Sequence, residues 1–184
     1  MLDLIDQLDK SLFLAINGNG NGLLDGLMIF LSEKWVWIPL YLLLIFSFIR
    51  QFGVRFWIAI LGVLAVVLFA DQITSGLMKP YFERPRPCKD QSFSEFVRLV
   101  DRCGGQFGFA SSHAANTGGI ASFSMVTTKE NWMKWLIMWS LLVGLSRIYL
   151  GVHYPGDVIV GFAVGVMGAA IVYTLSHRLL KVRN

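Results

Sequence analysis

The stretch FWIAILGVLAVVLFADQITSGLM, residues 56–78, carries a single charged side chain, Asp71. It matches the roughly 20 apolar residues with which a helix crosses the hydrocarbon core of a bilayer. Four further stretches, 35–49, 103–128, 135–146 and 158–177, contain no Asp, Glu, Lys or Arg. Of 184 residues 55% are hydrophobic and only 15% charged, which exceeds what a water-soluble core of this size requires. The pattern predicts an all-α integral membrane bundle of about five to six helices. Five spans are placed at about 34–50, 55–79, 112–128, 132–150 and 154–178, with a long loop between the second and third. The short connections leave no room for a second core, so residues 1–184 read as one domain.

The first ten residues hold Asp3, Asp6, Asp9 and Lys10, where a secretory leader needs a basic start and an apolar run; no cleaved leader is expected. Leu4, Ile5, Leu8, Leu12 and Phe13 recur at near-helical spacing between these acids. They describe an amphipathic helix that either lies along the membrane surface or packs on the bundle. Residues 17–22, NGNGNG, read as a turn.

Arg50, Arg55, Lys129, Lys134, Arg178, Lys181 and Arg183 fall on one side of this layout, in short loops and the C-terminal tail, which favours the cytoplasm for that side. The opposite side holds more basic residues, but most sit in one long loop, where several have a separate use. That loop also holds Cys88 and Cys103, which are either a disulfide in an oxidising compartment or two free thiols. The net charge of +4 is ordinary for helix ends at a membrane and needs no nucleic-acid partner.

Three polar segments converge at the outer helix ends: KPYFERPRP (79–87), ASSH (110–113) and SRIYLGVHYPGD (146–157). Ionisable groups at membrane depth are costly and normally face a polar cavity. Lys79, Arg86 and Arg147 together suit phosphate oxygens, with Arg84 beyond Pro85 ranked as a rim residue. Ser111 and Ser112 open a helix whose first N–H groups favour an anion. His153, oriented by Asp157 and set among cations, is the candidate nucleophile towards phosphorus. His113 is the candidate proton donor to the leaving oxygen, and later helps water attack. The nearby cations argue against a bound metal, and no cofactor is expected. His177, at the far end of the last helix, reads as an interface residue.

These residues resemble the signature of the type-2 phosphatidic acid phosphatase family of integral membrane lipid phosphatases: K-x6-R-P, P-S-G-H and S-R-x5-H-x3-D. Lys79, Arg86 and Pro87 match the first part; Ser146, Arg147, His153 and Asp157 match the third. The middle part reads Ala110-Ser111-Ser112-His113, keeping the serine and histidine without the Pro and Gly. The resemblance implies metal-independent hydrolysis through a phosphohistidine on His153. It also implies Asp157 as orienting group, His113 as acid, and Lys79, Arg86, Ser111, the backbone near Ser112 and Arg147 around the phosphate. It further implies a bacterial inner membrane location with the site facing outwards. Vanadium-dependent haloperoxidases share the signature but are larger soluble proteins. Undecaprenyl diphosphate is the first substrate expectation, with phosphatidylglycerophosphate, phosphatidic acid and lipid A phosphates open. A lipid phosphotransferase and a non-enzymatic lipid transporter are the other classes, the latter suggested by the isolated Asp71.

Overall fold

The structure, a computed structural model, describes residues 2–128 and 130–180, without the side chains of Leu2 and Asp3. Lys129, Lys181 and Arg183, counted above among the basic residues of one side, lie outside the described residues. The chain forms α1 (Leu2–Asn17), α2 (Gly22–Ser32), α3 (Ile38–Phe52) and α4 (Phe56–Asp71). A π-helical stretch, Gln72–Met78, continues α4 into the short α5 (Lys79–Phe82). After the long loop come α6 (Ser112–Thr127), α7 (Trp135–Tyr149) and α8 (Pro155–Leu180). The described residues contain no strand, only an isolated bridge between Pro85 and Phe107.

The five segments placed from sequence are helical, as α3, α4 with its continuation, α6, α7 and α8, with ends shifted by a few residues. One helix, α2, was not expected. Asn21, read from sequence only as a turn residue, is its cap: the Asn21 side chain accepts from the Leu24 N–H at 3.0 Å, as Asn does at a helix start.

Side-chain sidedness is that of a bundle with an apolar exterior. On α4 the small or branched residues Ala59, Gly62, Val66 and Ala70 are buried, while Trp57, Leu61, Leu64 and Leu68 point outwards. The same inversion leaves Leu42 and Phe46 of α3, Met138 and Leu141 of α7, and Ile159 and Ile171 of α8 exposed. Exposed apolar area this extensive fits lipid contact. Two helical stretches, Lys34–Phe82, which includes α3 and α4, and Pro155–Leu180, are long and apolar enough to cross a membrane.

Helix α6 is the centre of the bundle and packs most extensively on α8. Its Ala114, Ala115, Gly118, Gly119 and Ala121 are all buried, and α8 answers with Gly161 and Gly165. A Cβ at Gly161 would stand 2.5 Å from the Ser111 carbonyl oxygen, and one at Gly165 2.2 Å from that of Ala115. The two backbones therefore touch, as small residues permit between membrane helices. This contact sets the start of α6 against the start of α8, where the Ser111 N–H donates to the Asp157 carbonyl at 2.9 Å.

The loop over the site is tied down covalently and by hydrogen bonds. Cys88 and Cys103 are disulfide-bonded, their Cα atoms 6.1 Å apart. Asn17, fully buried, joins three elements: its Nδ2 donates to the carbonyls of Arg98 (2.8 Å) and Tyr149 (2.7 Å), and its Oδ1 accepts from the Arg98 N–H.

Helix α1 presents Leu4, Ile5, Leu8 and Leu12 outwards, each more than half exposed, while Phe13 is fully buried against Phe93 and Tyr154. Its polar residues are not a uniform water-facing side, because Asp9 turns inwards to the site.

Candidate active site

The third polar segment folds as the end of α7, a tight connection and the start of α8. Gly151 sits at φ +84°, with the Arg98 carbonyl 2.9 Å from where a Cβ would stand, so the turn requires glycine both for its backbone and for space. The connection delivers His153, which is 2% exposed, to a position above Asp157, which is fully buried. The His153 Nδ1 lies 3.3 Å from Asp157 Oδ2, and its Nε2 lies 3.1 Å from Arg86 Nη1. A guanidinium can only donate, so Nε2 is the acceptor and the ring proton is on Nδ1, facing the carboxylate. Burial pushes the His153 pKa down to about 4, against the opposing pull of Asp157. At neutral pH the ring is uncharged, with its lone pair on Nε2.

Asp157 is held from three directions. Its Oδ2 accepts from the Tyr154 N–H at 3.0 Å, and its Oδ1 accepts from Arg84 Nη1 at 2.9 Å. Arg84 in turn donates through Nη2 to Asp9 Oδ2 at 2.7 Å, and Asp9 Oδ1 accepts from the Gly156 N–H at 2.7 Å. The guanidinium lies over the Tyr154 ring, 4.2 Å from its centroid. Placing Arg84 on the rim from its position beyond Pro85 was therefore wrong. Pro85 lets the two arginines diverge, Arg84 beneath the carboxylate and Arg86 beside the imidazole. Asp9 has no sequence signal of this role, since it looks like one of several acids on a surface helix.

Arg86 also donates to the Val152 carbonyl at 3.0 Å. Arg147 bonds the Ser32 hydroxyl, which brings α2 into the site. The buried Nε groups of both arginines lack a hydrogen-bond partner among the described residues. Lys79 donates to Ser112 Oγ at 2.7 Å and to Ser75 Oγ at 3.0 Å, and Ser112 Oγ is also 2.9 Å from Thr74 Oγ1. The π-helical stretch places Thr74 and Ser75 here, and π turns of this kind concentrate at functional sites. Lys79, Arg86 and Arg147 are near enough to act electrostatically on one another, and with His153 on His113.

The middle segment is divided. Ser111 is fully buried; its side chain caps α6 at 3.5 Å from the Ala114 N–H, and its own N–H is already given to Asp157. Ser112 joins the lysine cluster. His113 is exposed and lines, with Ser112 and Ser32, the polar end of a cavity of about 630 Å³. His177 is remote, beside Tyr173 near the other end of α8. Among the described residues no group of three or more His, Cys, Asp or Glu could hold a metal.

Fold and sequence define an all-helical hydrolase of phosphate esters. The PAP2 superfamily model matches residues 57–181, and the chain belongs to that superfamily. It is 31% identical to a lipid A 4'-phosphatase of Bacteroides thetaiotaomicron, over 97% of this chain and 81% of the relative. A lipid A 4'-phosphatase of Porphyromonas gingivalis is 36% identical, over 94% of this chain and 74% of its own length. An undecaprenyl-diphosphatase of Sulfolobus acidocaldarius is 35% identical over 84% of this chain and 71% of its own length. The crystal structure of Aquifex aeolicus LpxE superposes with a TM-score of 0.67 at 28% identity, covering 89% of this chain and 93% of that one.

Proposed function

We propose that the protein removes a terminal phosphate from a membrane lipid through a phosphohistidine on His153. The observation that carries this reading is the buried, neutral imidazole, with its Nδ1–H on Asp157 and its Nε2 lone pair on Arg86, close to Arg147. The unpartnered Nε–H groups of Arg86 and Arg147 are donors that phosphate oxygens would satisfy. His153 Nε2 attacks phosphorus as the bond to the lipid oxygen breaks, and His113, which takes up a proton from water once the bound phosphate offsets the surrounding cations, gives that proton to the oxygen. Water then attacks the phosphohistidine, His113 takes up its proton, and phosphate leaves with His153 neutral again. No step draws on a metal.

Similarity to two lipid A 4'-phosphatases over nearly the whole chain puts a lipid A phosphate ahead of undecaprenyl diphosphate, reversing the order expected from sequence. The chain is read as one domain with five spans, α3, α4 with its continuation, α6, α7 and α8. The exposed leucines of α1 lie in the membrane surface, and the site faces the periplasm of a bacterial inner membrane. The disulfide agrees with that side.

The test is phosphate release from lipid A, undecaprenyl diphosphate and phosphatidic acid in detergent with excess chelator. Acid-labile, base-stable labelling of the wild type by radioactive substrate, absent in His153→Ala, is the expected result. Full turnover by His153→Ala, or turnover that needs an added divalent metal, would sink the mechanism. Label appearing in an acceptor lipid in place of free phosphate would make the protein a phosphotransferase.

A further inference from the structure

The cavity that begins at Ser112 and His113 runs down between α3, α4 and α6, with walls that include Leu44, Phe48, Val63, Val67 and Ile120. Such walls suit a lipid chain, but two of the residues lining it do not belong to an apolar chain's surroundings. Asp71, the last residue of α4, and Asn116, on α6, both line the cavity and bond to each other, Asn116 Nδ2 donating to Asp71 Oδ1 at 3.1 Å. Asn116 is four residues after Ser112, so it lies about 6 Å further along α6 than the phosphate end. The pair is incompletely satisfied: Asn116 Oδ1 is buried with no hydrogen-bond partner among the described residues, and Asp71 meets Asn116 through Oδ1 alone, leaving Oδ2 out of the contact. A carboxyl group between apolar helices is costly, and a clamp between α4 and α6 would use more of its oxygens. What is left over is acceptor capacity at a fixed depth below the phosphate.

We propose that Asp71 and Asn116 form a hydrogen-bonding subsite for a hydroxyl or amide N–H carried by the lipid about one helical turn below its phosphate. The cavity thereby selects lipid phosphates with a donor in the first atoms of their chains over those with plain polyisoprenyl or ester-linked chains. This rests on the lipid phosphatase reading above. It gives Asp71, which from sequence suggested a transporter, a part in substrate choice instead. A polyisoprenyl chain would leave both acceptors unpaired, and a site built to bond a polar group discriminates strongly against the analogue that lacks it.

The experiment compares ceramide phosphate with phosphatidic acid of matched chain length, in the same detergent. Both are two-chain phosphomonoesters, but only ceramide phosphate carries an amide N–H and a hydroxyl near its phosphate. Wild type is expected to show a kcat/KM ratio of at least about tenfold in favour of ceramide phosphate. In Asp71→Leu/Asn116→Leu, which removes both polar partners and leaves no orphan, the ratio falls to within about twofold of one. A clamp role would lower the unfolding temperature without moving the ratio, and that result overturns the subsite. Equal wild-type rates on the two lipids overturn it without any variant. Wild-type turnover of p-nitrophenyl phosphate, which is too short to reach the subsite, tells the failures apart. If it persists with equal lipid rates, only the subsite falls; if none of the three substrates is turned over, both readings fall.

Discussion

The two histidines of the site stand in opposite surroundings. His153 is buried, bonded through both ring nitrogens, and connected through Asp157 and Arg84 to a helix more than 140 positions away in the sequence. His113 is exposed at the mouth of the cavity; its carbonyl accepts from the Thr117 hydroxyl at 2.8 Å, but its imidazole makes no hydrogen bond among the described residues. The difference suits the chemistry proposed for each. A nucleophile that must meet phosphorus in line benefits from being fixed before the substrate arrives. An acid that must follow a departing lipid oxygen, and then a water, needs contact with the substrate and not with the protein.

The sharpest break of this comparison is His153→Ala, which should lower kcat by at least about ten-thousandfold in lipid phosphate release. A smaller loss would mean that another group attacks. Asp157→Asn should cost about a thousandfold in the same assay, because the amide does not hold the Nδ1–H tautomer. Loss of the carboxylate also removes the interaction that raises the His153 pKa against burial, so the ring should move still further below about 4 in this variant. Histidine ring NMR checks this directly. Wild-type His153 should stay neutral as the Nδ1–H tautomer at pH 6, and activity that depends on its lone pair should be lost as pH falls through about 4. A ring that titrates near the ordinary histidine value would contradict its burial.

On the open side, His113→Ala should reduce turnover of lipid phosphates by about a hundredfold. It should have much less effect on p-nitrophenyl phosphate, whose leaving group needs no proton. The unfolding temperature should not change, since no partner is lost. Equal losses on the two substrates would remove His113 from the acid role. Arg84→Gln should lower kcat by about tenfold to a hundredfold with little change in KM, as expected for a group that aims Asp157 without touching the substrate. A change confined to KM would instead place Arg84 on the substrate. The smallest effect on rate should come from Cys88→Ser/Cys103→Ser. Opening this 15-residue separation should cost about 3 kcal/mol of stability, read as a lower unfolding temperature with phosphate release retained below it.

Much of this was legible in the chain because a few local patterns carry it. Runs almost without charge marked α4 and α8, and the spacing from Ser146 to Asp157 placed a cation, a histidine and a carboxylate on one helix-to-helix connection. What escaped depends on contacts remote in sequence or on backbone detail. Arg84 and Asp9 are bonded across 75 positions, and nothing local to either announces the other. The π-helical stretch Gln72–Met78 leaves the same apolar composition as an ordinary helix, so Thr74 and Ser75 were not connected with Ser112. Helix α2 was hidden because its 11 residues are too few for a span and follow a run of Asn and Gly. The cavity with Asp71 and Asn116 exists only once α4 and α6 are packed.

Helix α1 gives the N-terminal end an unusual standing for anyone editing the gene. Its outward leucines invite treatment as a removable anchor, and deletions that stop before Asp6 should be tolerated as such. A deletion that passes Asp9 removes the partner of both Arg84 and the Gly156 N–H, so that a cut within α1 reaches the proposed site.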